Sequence, residues 1–402
     1  MAHSSSSTPP APVSPNETGT IHMVDLGGLH SRLRPELDRA MDEVLSESAF
    51  IRGNHVSAFE SNLNQTMNLQ GHVVGCGNGT DALLLALRAL HVGPGDEVIV
   101  PDFSFISTAE VVAEVGATPV FADINPTTFQ LDPTSAERAR TSRTKAVMVV
   151  HLFGQCADMD ALVPWAKSHG LHLIEDNAQS LGASWCSPSI EGAAGMLGTI
   201  GTTSFFPSKN LGALGDGGAV LTRDESLATR VRRLANHGAE RKYHHLEVGY
   251  NSRLDGLQAA FLNVKLCHWR DLIGRRQAAA ERYDNLLVEA SSLGVVTPGR
   301  EARSSHLFHQ YCILLPHGAN RDEVQTNLRA SGIPTAVYYP TPLSSQPAFD
   351  KSAVVVDGGT PVAHEVAGRI LALPMHTELT SDMQARVVAE LLRLLSSHLT
   401  QS

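Results

Sequence analysis

Paired cysteines are missing from this chain. Its five cysteines (Cys76, Cys156, Cys186, Cys267, Cys312) are scattered over 402 residues, and no Cys-x-x-Cys occurs. That spacing offers neither a zinc site nor a disulfide framework, and it favours a reducing compartment. Long hydrophobic runs are missing too. No stretch approaches the roughly 18 apolar residues needed to span a bilayer, so the chain reads as soluble and cytoplasmic. An excess of basic charge is also absent. A net charge of −10 argues against wholesale binding to nucleic acid or to an anionic membrane, while leaving room for a local basic pocket. No G-x-S-x-G elbow supports serine nucleophile chemistry. No Gly-Lys-Ser/Thr closes a Walker loop, and no complete G-x-G-x-x-G marks a dinucleotide site. His151 and the His244-His245 pair have no partner at metal-ligand spacing and are read as non-metal residues.

What remains is the composition of an ordinary soluble enzyme, 42% hydrophobic and 18% charged, with length enough for two or three domains. Residues 1–20 are rich in Ser, Pro and Thr without an apolar run. They read as a disordered tail rather than a signal peptide, and Asn16-Glu-Thr18 as a chance sequon.

From about residue 70 to 222, short apolar runs alternate with helical patterns. Val98–Val100, Pro119–Ala122, Ala146–Val150 and Leu171–Ile174 are nearly continuous in apolar character, as strands buried on both faces of a parallel sheet are. Helices are expected over Asp81–His91, Ile106–Val115 and Met159–His169, stopped by the turn Val92–Gly95, by Gly116 and by Gly170. This alternation implies an α/β fold with its active-site loops at the carboxyl ends of the strands. Further on, Glu225–Asn236 reads as a helix and Asp255 to about Ala290 as one long helix or a broken pair. After Pro298 an apolar run, Tyr311–Leu315, accompanies helices near Arg321–Ser331 and Ser381–His398. We place a boundary near residue 270, with a large cofactor domain over 21–270 and a smaller C-terminal α/β domain over 271–402.

Lys209 lies between a short β-prone run and a glycine-rich loop ending at Gly218, and Asp176 closes the apolar run Leu173-Ile-Glu-Asp. A loop lysine is usually a solvated charge. Coupled to a fixed carboxylate, however, an amine nucleophile is what pyridoxal phosphate requires: one group to hold its carbonyl, the other to keep the pyridinium nitrogen protonated. Gly75-Cys-Gly-Asn-Gly79-Thr80-Asp81 opens the first helix of the alternation. Its residues Gly79, Thr80 and Asp81 make either a phosphate cradle or a tight turn capped by Asn78 or Thr80. Phe105, just past a strand end, reads first as core packing; an aromatic there can also stack on a flat ring.

With these residues in view, the chain resembles the DegT/DnrJ/StrS family of sugar aminotransferases. The likeness runs from about Ile21 to Leu399 and rests on Asn78-Gly-Thr-Asp-Ala82, Ile174-Glu-Asp-Asn-Ala-Gln179, Ser204-Phe-Phe-Pro-Ser-Lys209 and Gly249-Tyr-Asn-Ser-Arg-Leu-Asp255. The resemblance implies the pyridoxal-phosphate transferase fold type I, a large domain with a mostly parallel sheet plus a smaller α/β domain. It implies that Lys209 carries the cofactor, Asp176 pairs with the pyridine nitrogen, Gln179 reaches the ring hydroxyl and Phe105 stacks on the ring. Thr80, Asp81 and Ser204 would bind the phosphate. Asn251 would reach the phosphate of a neighbouring subunit, giving a homodimer with shared active sites. Arg253, Tyr338 and Tyr339 match positions facing a nucleotide sugar. Asn177 departs from the small residue common in relatives, with an effect expected on fine packing only.

The resemblance also implies the reaction, transfer of an amino group from L-glutamate to a keto group of a nucleotide-linked sugar. Lys209 argues against the dehydratase branch, which carries histidine there; a non-catalytic regulatory member is the other reading. Ile333–Pro340 and Leu343–Phe349 look most like members acting on 3-keto nucleotide sugars, including UDP-linked 3-keto-hexuronates. Arg253 could hold a sugar carboxylate bidentately, or serve a diphosphate or a structural ion pair. Tyr338 departs from the histidine expected of the hexuronate group, which leaves a dTDP-linked 3-keto-6-deoxyhexose as the alternative substrate.

Overall fold

The computed structural model describes residues 20–399, so the tail expected over 1–20 lies outside the described residues apart from Thr20. Two helices, α1 (Leu26–Glu47) and α2 (Asn54–Thr66), precede the first strand, β1 (His72–Cys76). Strand and helix then alternate through α3 (Gly79–Ala89), β2 (Glu97–Pro101), α4 (Ser107–Glu114), β3 (Thr118–Ala122), α5 (Pro133–Ala139), β4 (Thr144–Val150), α6 (Met159–Ser168) and β5 (His172–Asp176). A small hairpin, β6 (Ser184–Cys186) with β7 (Glu191–Ala193), leads to β8 (Ile200–Ser204) and β9 (Gly218–Thr222), whose connecting loop carries Lys209. There follow α7 (Glu225–Leu234), a ribbon of β10 (Ala239–Arg241) and β11 (His244–His245), and the helices α8 (Gly256–Cys267) and α9 (Trp269–Leu286). The chain ends with β12 (Tyr311–Leu314), α10 (Arg321–Ala330), β13 (Val354–Val355), α11 (Pro361–Arg369), β14 (Ile370–Leu373) and α12 (Ser381–Leu399).

The main sheet has the order β1-β9-β8-β5-β4-β2-β3-β13, and β9 runs against both of its neighbours while the remaining pairs are parallel. Its central strands are continuous in apolar character because both faces are covered. Along β4, Val147 and Val149 enter one core with Phe59, Phe205 and Leu221, whereas Ala146 and Met148 enter the other with Leu85, Val100 and Ile174. That split follows the two-residue period of a strand. The helical stretch expected from Asp255 onward is a broken pair, α8 and α9 meeting at His268. A second sheet pairs β12 with β14 antiparallel, and its residues pack with α9, α10 and α12 around Tyr283, Tyr311, Leu328 and Leu391.

Because β1, β2, β4, β5 and β8 point the same way, their carboxyl ends bring Cys76, Pro101, Val150, Asp176 and Ser204 to one edge. A buried carboxylate fixes the orientation of β5 there. Glu175, fully buried, accepts the backbone N–H groups of Gly195 (2.8 Å), Leu197 (2.7 Å) and Gly198 (2.5 Å) and meets His151 Nε2 at 2.8 Å. Successive side chains on a strand face opposite ways, so anchoring Glu175 beneath the sheet turns Asp176 the other way.

Candidate active site

Lys209 sits in a compact turn: its N–H donates to Phe206 O at 2.8 Å, and Ala213 N–H to Phe205 O at 2.7 Å closes the turn behind it. Burial lowers the ε-amine from its ordinary value to about 8, and the charge of Asp176 opposes that shift. Burial likewise raises the carboxyl of Asp176, opposed by the Ala178 N–H, by Lys209, by His151 and by Thr108. Ala178 N–H reaches Asp176 Oδ1 at 3.1 Å, and Thr108 Oγ1 lies 3.4 Å from Oδ2. The two groups therefore share one low-dielectric setting that penalises both charges, with each charge relieving the other.

Gln179 is buried and fixed at both ends of its amide. Its Oε1 accepts Phe153 N–H at 2.8 Å and its Nε2 donates to Tyr339 Oη at 3.1 Å. The Tyr339 ring is 6.3 Å from that of Phe105, which is 54% exposed. Phe105 is thus not a core residue: an aromatic face stands open at the sheet edge beside Tyr339. Tyr338 is half-buried next to it.

The loop before α3 resolves the choice between cradle and turn by being capped and open at once. Asn78 Oδ1 accepts Asp81 N–H at 2.8 Å, while the Asp81 carboxylate accepts Ser252 Oγ–H at 2.6 Å. Asp81 is thus engaged in holding the loop. Gly79 and Thr80 remain at the positive helix end, where amides have no intrahelical acceptor. Thr80 Oγ1 is 2.7 Å from Ser107 Oγ, and a Cβ on Gly79 would come within 2.7 Å of Ser204 Cβ. Two hydroxyls, two amides and a glycine that admits close approach form a donor set suited to a phosphate. Together with the amine, the carboxylate and the exposed aromatic, these residues fit pyridoxal phosphate.

Asn251 and Arg253 flank Ser252, which holds Asp81, but among the described residues their own side chains form no hydrogen bond with Lys209, Asp176 or the loop before α3. Asn251 is exposed. Arg253 donates to Asn236 Oδ1 at 3.2 Å and lines a separate cavity of about 690 Å³ with Arg52, Arg232, Arg233, Arg241 and Lys242. Sequence reasoning missed His309, whose buried Nδ1 has no hydrogen-bond partner among the described residues and whose imidazole stays neutral through burial and through the charges of Lys209 and Arg276. It also missed Ser107, Thr108 and Ser252; single hydroxyls in ordinary loops carry no signal until the fold brings them together.

With this geometry in place, comparison with known proteins is specific. Residues 31–392 match the DegT/DnrJ/EryC1/StrS aminotransferase family. The chain is 46% identical over 92% of its length to a "pleiotropic regulatory protein" of Geobacillus stearothermophilus, covering 97% of that protein. It is 44% identical to a UDP-2-acetamido-2-deoxy-3-oxo-D-glucuronate aminotransferase of Pseudomonas aeruginosa, over 89% of this chain and 96% of that one. A UDP-N-acetyl-3-dehydro-α-D-glucosamine 3-aminotransferase of Acidithiobacillus ferrooxidans is 45% identical over 93% and 98%. Among solved structures, a DegT/DnrJ/EryC1/StrS aminotransferase from Brucella abortus superposes with a TM-score of 0.87 at 37% identity, covering 93% of this chain and 99% of that one. The NtdA protein of Bacillus subtilis, solved with bound cofactor PMP, gives 0.85 at 29% identity over 95% and 86%.

The lowered pKa of Lys209 predicts how the cofactor-free protein captures pyridoxal phosphate. Only the neutral amine is a nucleophile, and a pKa of about 8 leaves about a tenth of it neutral at pH 7, against well under a thousandth for an ordinary lysine. The capture rate followed by stopped-flow absorbance should rise about tenfold from pH 7 to 9 and then level. A rate that keeps climbing steeply above pH 9 would show an unperturbed amine.

Proposed function

This chain belongs to the DegT/DnrJ/EryC1/StrS aminotransferase family, and from that premise we propose that it moves an amino group from L-glutamate to C3 of a UDP-linked 3-keto-hexuronate. The chain is a pyridoxal-phosphate-dependent sugar aminotransferase. The observation that carries its chemistry is the half-buried Lys209, its amine shifted toward the neutral form, beside the buried Asp176. The Geobacillus relative bears a regulatory name, but that pair favours turnover, since a purely regulatory protein has no need of an amine held toward its neutral form.

When bound, pyridoxal phosphate supplies a conjugated ring that takes up the electron pair released at a substrate carbon. In our reading Lys209 would hold it covalently, with its ε-amine free once the amino donor is bound. The freed amine, with its lowered pKa, then removes the proton from the donor α-carbon and returns one to the sugar carbon in the second half of the cycle. Asp176 would keep a proton on the pyridine nitrogen, Gln179 would bond the ring hydroxyl and Phe105 would cover the ring face. Gly79, Thr80 and Ser204 would donate to the phosphate from a loop that Asp81 ties to Ser252. Tyr338, Tyr339 and Arg253 face the sugar. The division near residue 270 into a cofactor domain and a smaller C-terminal domain belongs to the same proposal, supported by the separate β12–β14 sheet and its own core.

The hexuronate is favoured by the Pseudomonas relative, and the neutral sugar of the Acidithiobacillus relative is the natural control. Arg253→Lys keeps the charge and removes the planar fork. It should reduce kcat/KM on the UDP-linked 3-keto-hexuronate about tenfold more than on the matched neutral sugar. Equal losses on both would place Arg253 on the diphosphate or in the scaffold.

A homodimer with shared sites is supported by the exposure of Asn251, whose neighbour Ser252 lies at the phosphate loop. Exposed apolar side chains flank both regions: Phe206 and Leu214 around Lys209, and Tyr243, Leu246 and Val248 before Asn251. Such clustering marks an interaction surface. Asn251→Asp sets a carboxylate against the cofactor phosphate, and Lys209→Ala removes the nucleophile, so each homodimer should be inactive. A mixed dimer contains one site with both changes and one with neither. Co-refolding should restore activity to about half of wild type per dimer, whereas inactive purified heterodimers would show that Asn251 serves its own chain.

A further inference from the structure

A buried carboxylate unused by the chemistry above closes the end of β2. Asp102 is fully buried and accepts three donors from a distant part of the chain: Ser344 N–H at 2.6 Å, Ser344 Oγ–H at 2.7 Å and Thr360 Oγ1–H at 2.5 Å. Its backbone carbonyl accepts a fourth, Leu343 N–H at 2.8 Å. At the end of β3, Asp123 fastens the same segment again by accepting Val362 N–H at 3.0 Å and Ala363 N–H at 2.9 Å. The segment gripped by Asp102 begins at Leu343, a short Pro340-Thr341-Pro342 link after Tyr338 and Tyr339. The Tyr339 ring lies 5.9 Å from Phe103 and 6.3 Å from Phe105, the residues that flank Ser104 in the turn that Asp102 opens. Asp102 therefore stands at the root of both segments whose aromatic rings meet at Tyr339, and no interaction of its side chain reaches Lys209 or Asp176.

We propose that Asp102 is a positioning residue for sugar recognition: by holding Leu343, Ser344 and Thr360 it sets Tyr338 and Tyr339 against the Phe103–Phe105 turn. This rests on the reading that the two tyrosines face the nucleotide sugar. Geometry rather than charge is what Asp102 supplies. Burial raises its carboxyl, with Ser344 and Thr360 opposing the shift, so ionisation is costly at this position. Hydroxyls both donate and accept. An asparagine could consequently accept Ser344 N–H through its oxygen and donate its amide to the two hydroxyls, keeping the grip without the charge.

The test separates the two half-reactions of the holoenzyme in single turnovers, using L-glutamate on one side and a UDP-linked 3-amino-hexuronate, run in reverse, on the other. Asp102→Ala should raise the half-saturating concentration of the UDP-sugar about tenfold, leave the glutamate half-reaction and cofactor content within about twofold, and accelerate amide hydrogen exchange at Leu343 and Ser344. Asp102→Asn should stay within about threefold of wild type on the sugar. If Asp102→Ala does not fold, the double variant Ser344→Ala/Thr360→Val removes two of the donors and carries the same expectation. Equal losses in both half-reactions would make Asp102 part of the general scaffold and overturn the proposal. Tyr339→Ala separates the two levels of inference. If it raises the sugar half-saturation and Asp102→Ala does not, the positioning role alone is wrong. If it leaves that value unchanged, the substrate reading falls and the positioning role falls with it.

Discussion

The site depends on keeping an amine and a carboxylate together at a sheet edge where neither is well solvated. Lys209 and Asp176 are both displaced toward their neutral forms by burial, and each is partly restored by the other. Water would level both to their ordinary values and leave the lysine almost wholly protonated at neutral pH. The fold maintains this setting with groups one layer removed. Glu175 ties β5 to the Gly195–Gly198 turn through three backbone donors, and the Ala178 amide and Thr108 hydroxyl hold the Asp176 carboxylate. A parallel sheet suits this task because the loops after its strands converge on one edge, and helix ends there present amides for an anion.

Much of this was legible in the residues, and the reasons differ from segment to segment. The strands ending at Val100, Ala122, Val150 and Asp176 could be read because burial on both faces demands nearly continuous apolar sequence. The loop from Gly75 to Asp81 could be read because close backbone approach demands glycine. By contrast, α1 and α2 show only modest apolar stripes among many polar residues, and β1 contains Gly75, so none of them announced itself. Phe105 could not be assigned from its neighbours, since exposure of an aromatic is decided by the distant Tyr339. The Asp102 grip spans 242 positions, and no local pattern encodes such a pair.

The chain also contains a contrast of charge. A molecule with a net charge of −10 gathers Arg52, Arg232, Arg233, Arg241, Lys242 and Arg253 around one cavity. Glu60 and Glu247 pair with Arg232 and Arg233, while burial and the charges of Arg253 and Arg232 lower the pKa of Arg52. Such a focus of positive potential attracts an anionic ligand into a locally favourable field even on an acidic protein. The exposure of Asn251 in this region, with the exposed apolar residues beside it and beside the Lys209 loop, supports the proposed shared site.

The central claim is that Lys209, and not another amine, carries the cofactor. The comparison is a sharp one, because Lys265 is more deeply buried than Lys209, is also lowered by burial to about 8, and lines the same small cavity while donating to Gly212 O at 2.6 Å. Borohydride reduction of the pyridoxal-phosphate-loaded protein, followed by proteolysis and mass spectrometry, locates the covalent link directly. The account predicts a single phosphopyridoxyl modification on Lys209 and an unmodified Lys265; modification of Lys265, or of no lysine in the Phe205–Gly218 region, would contradict it.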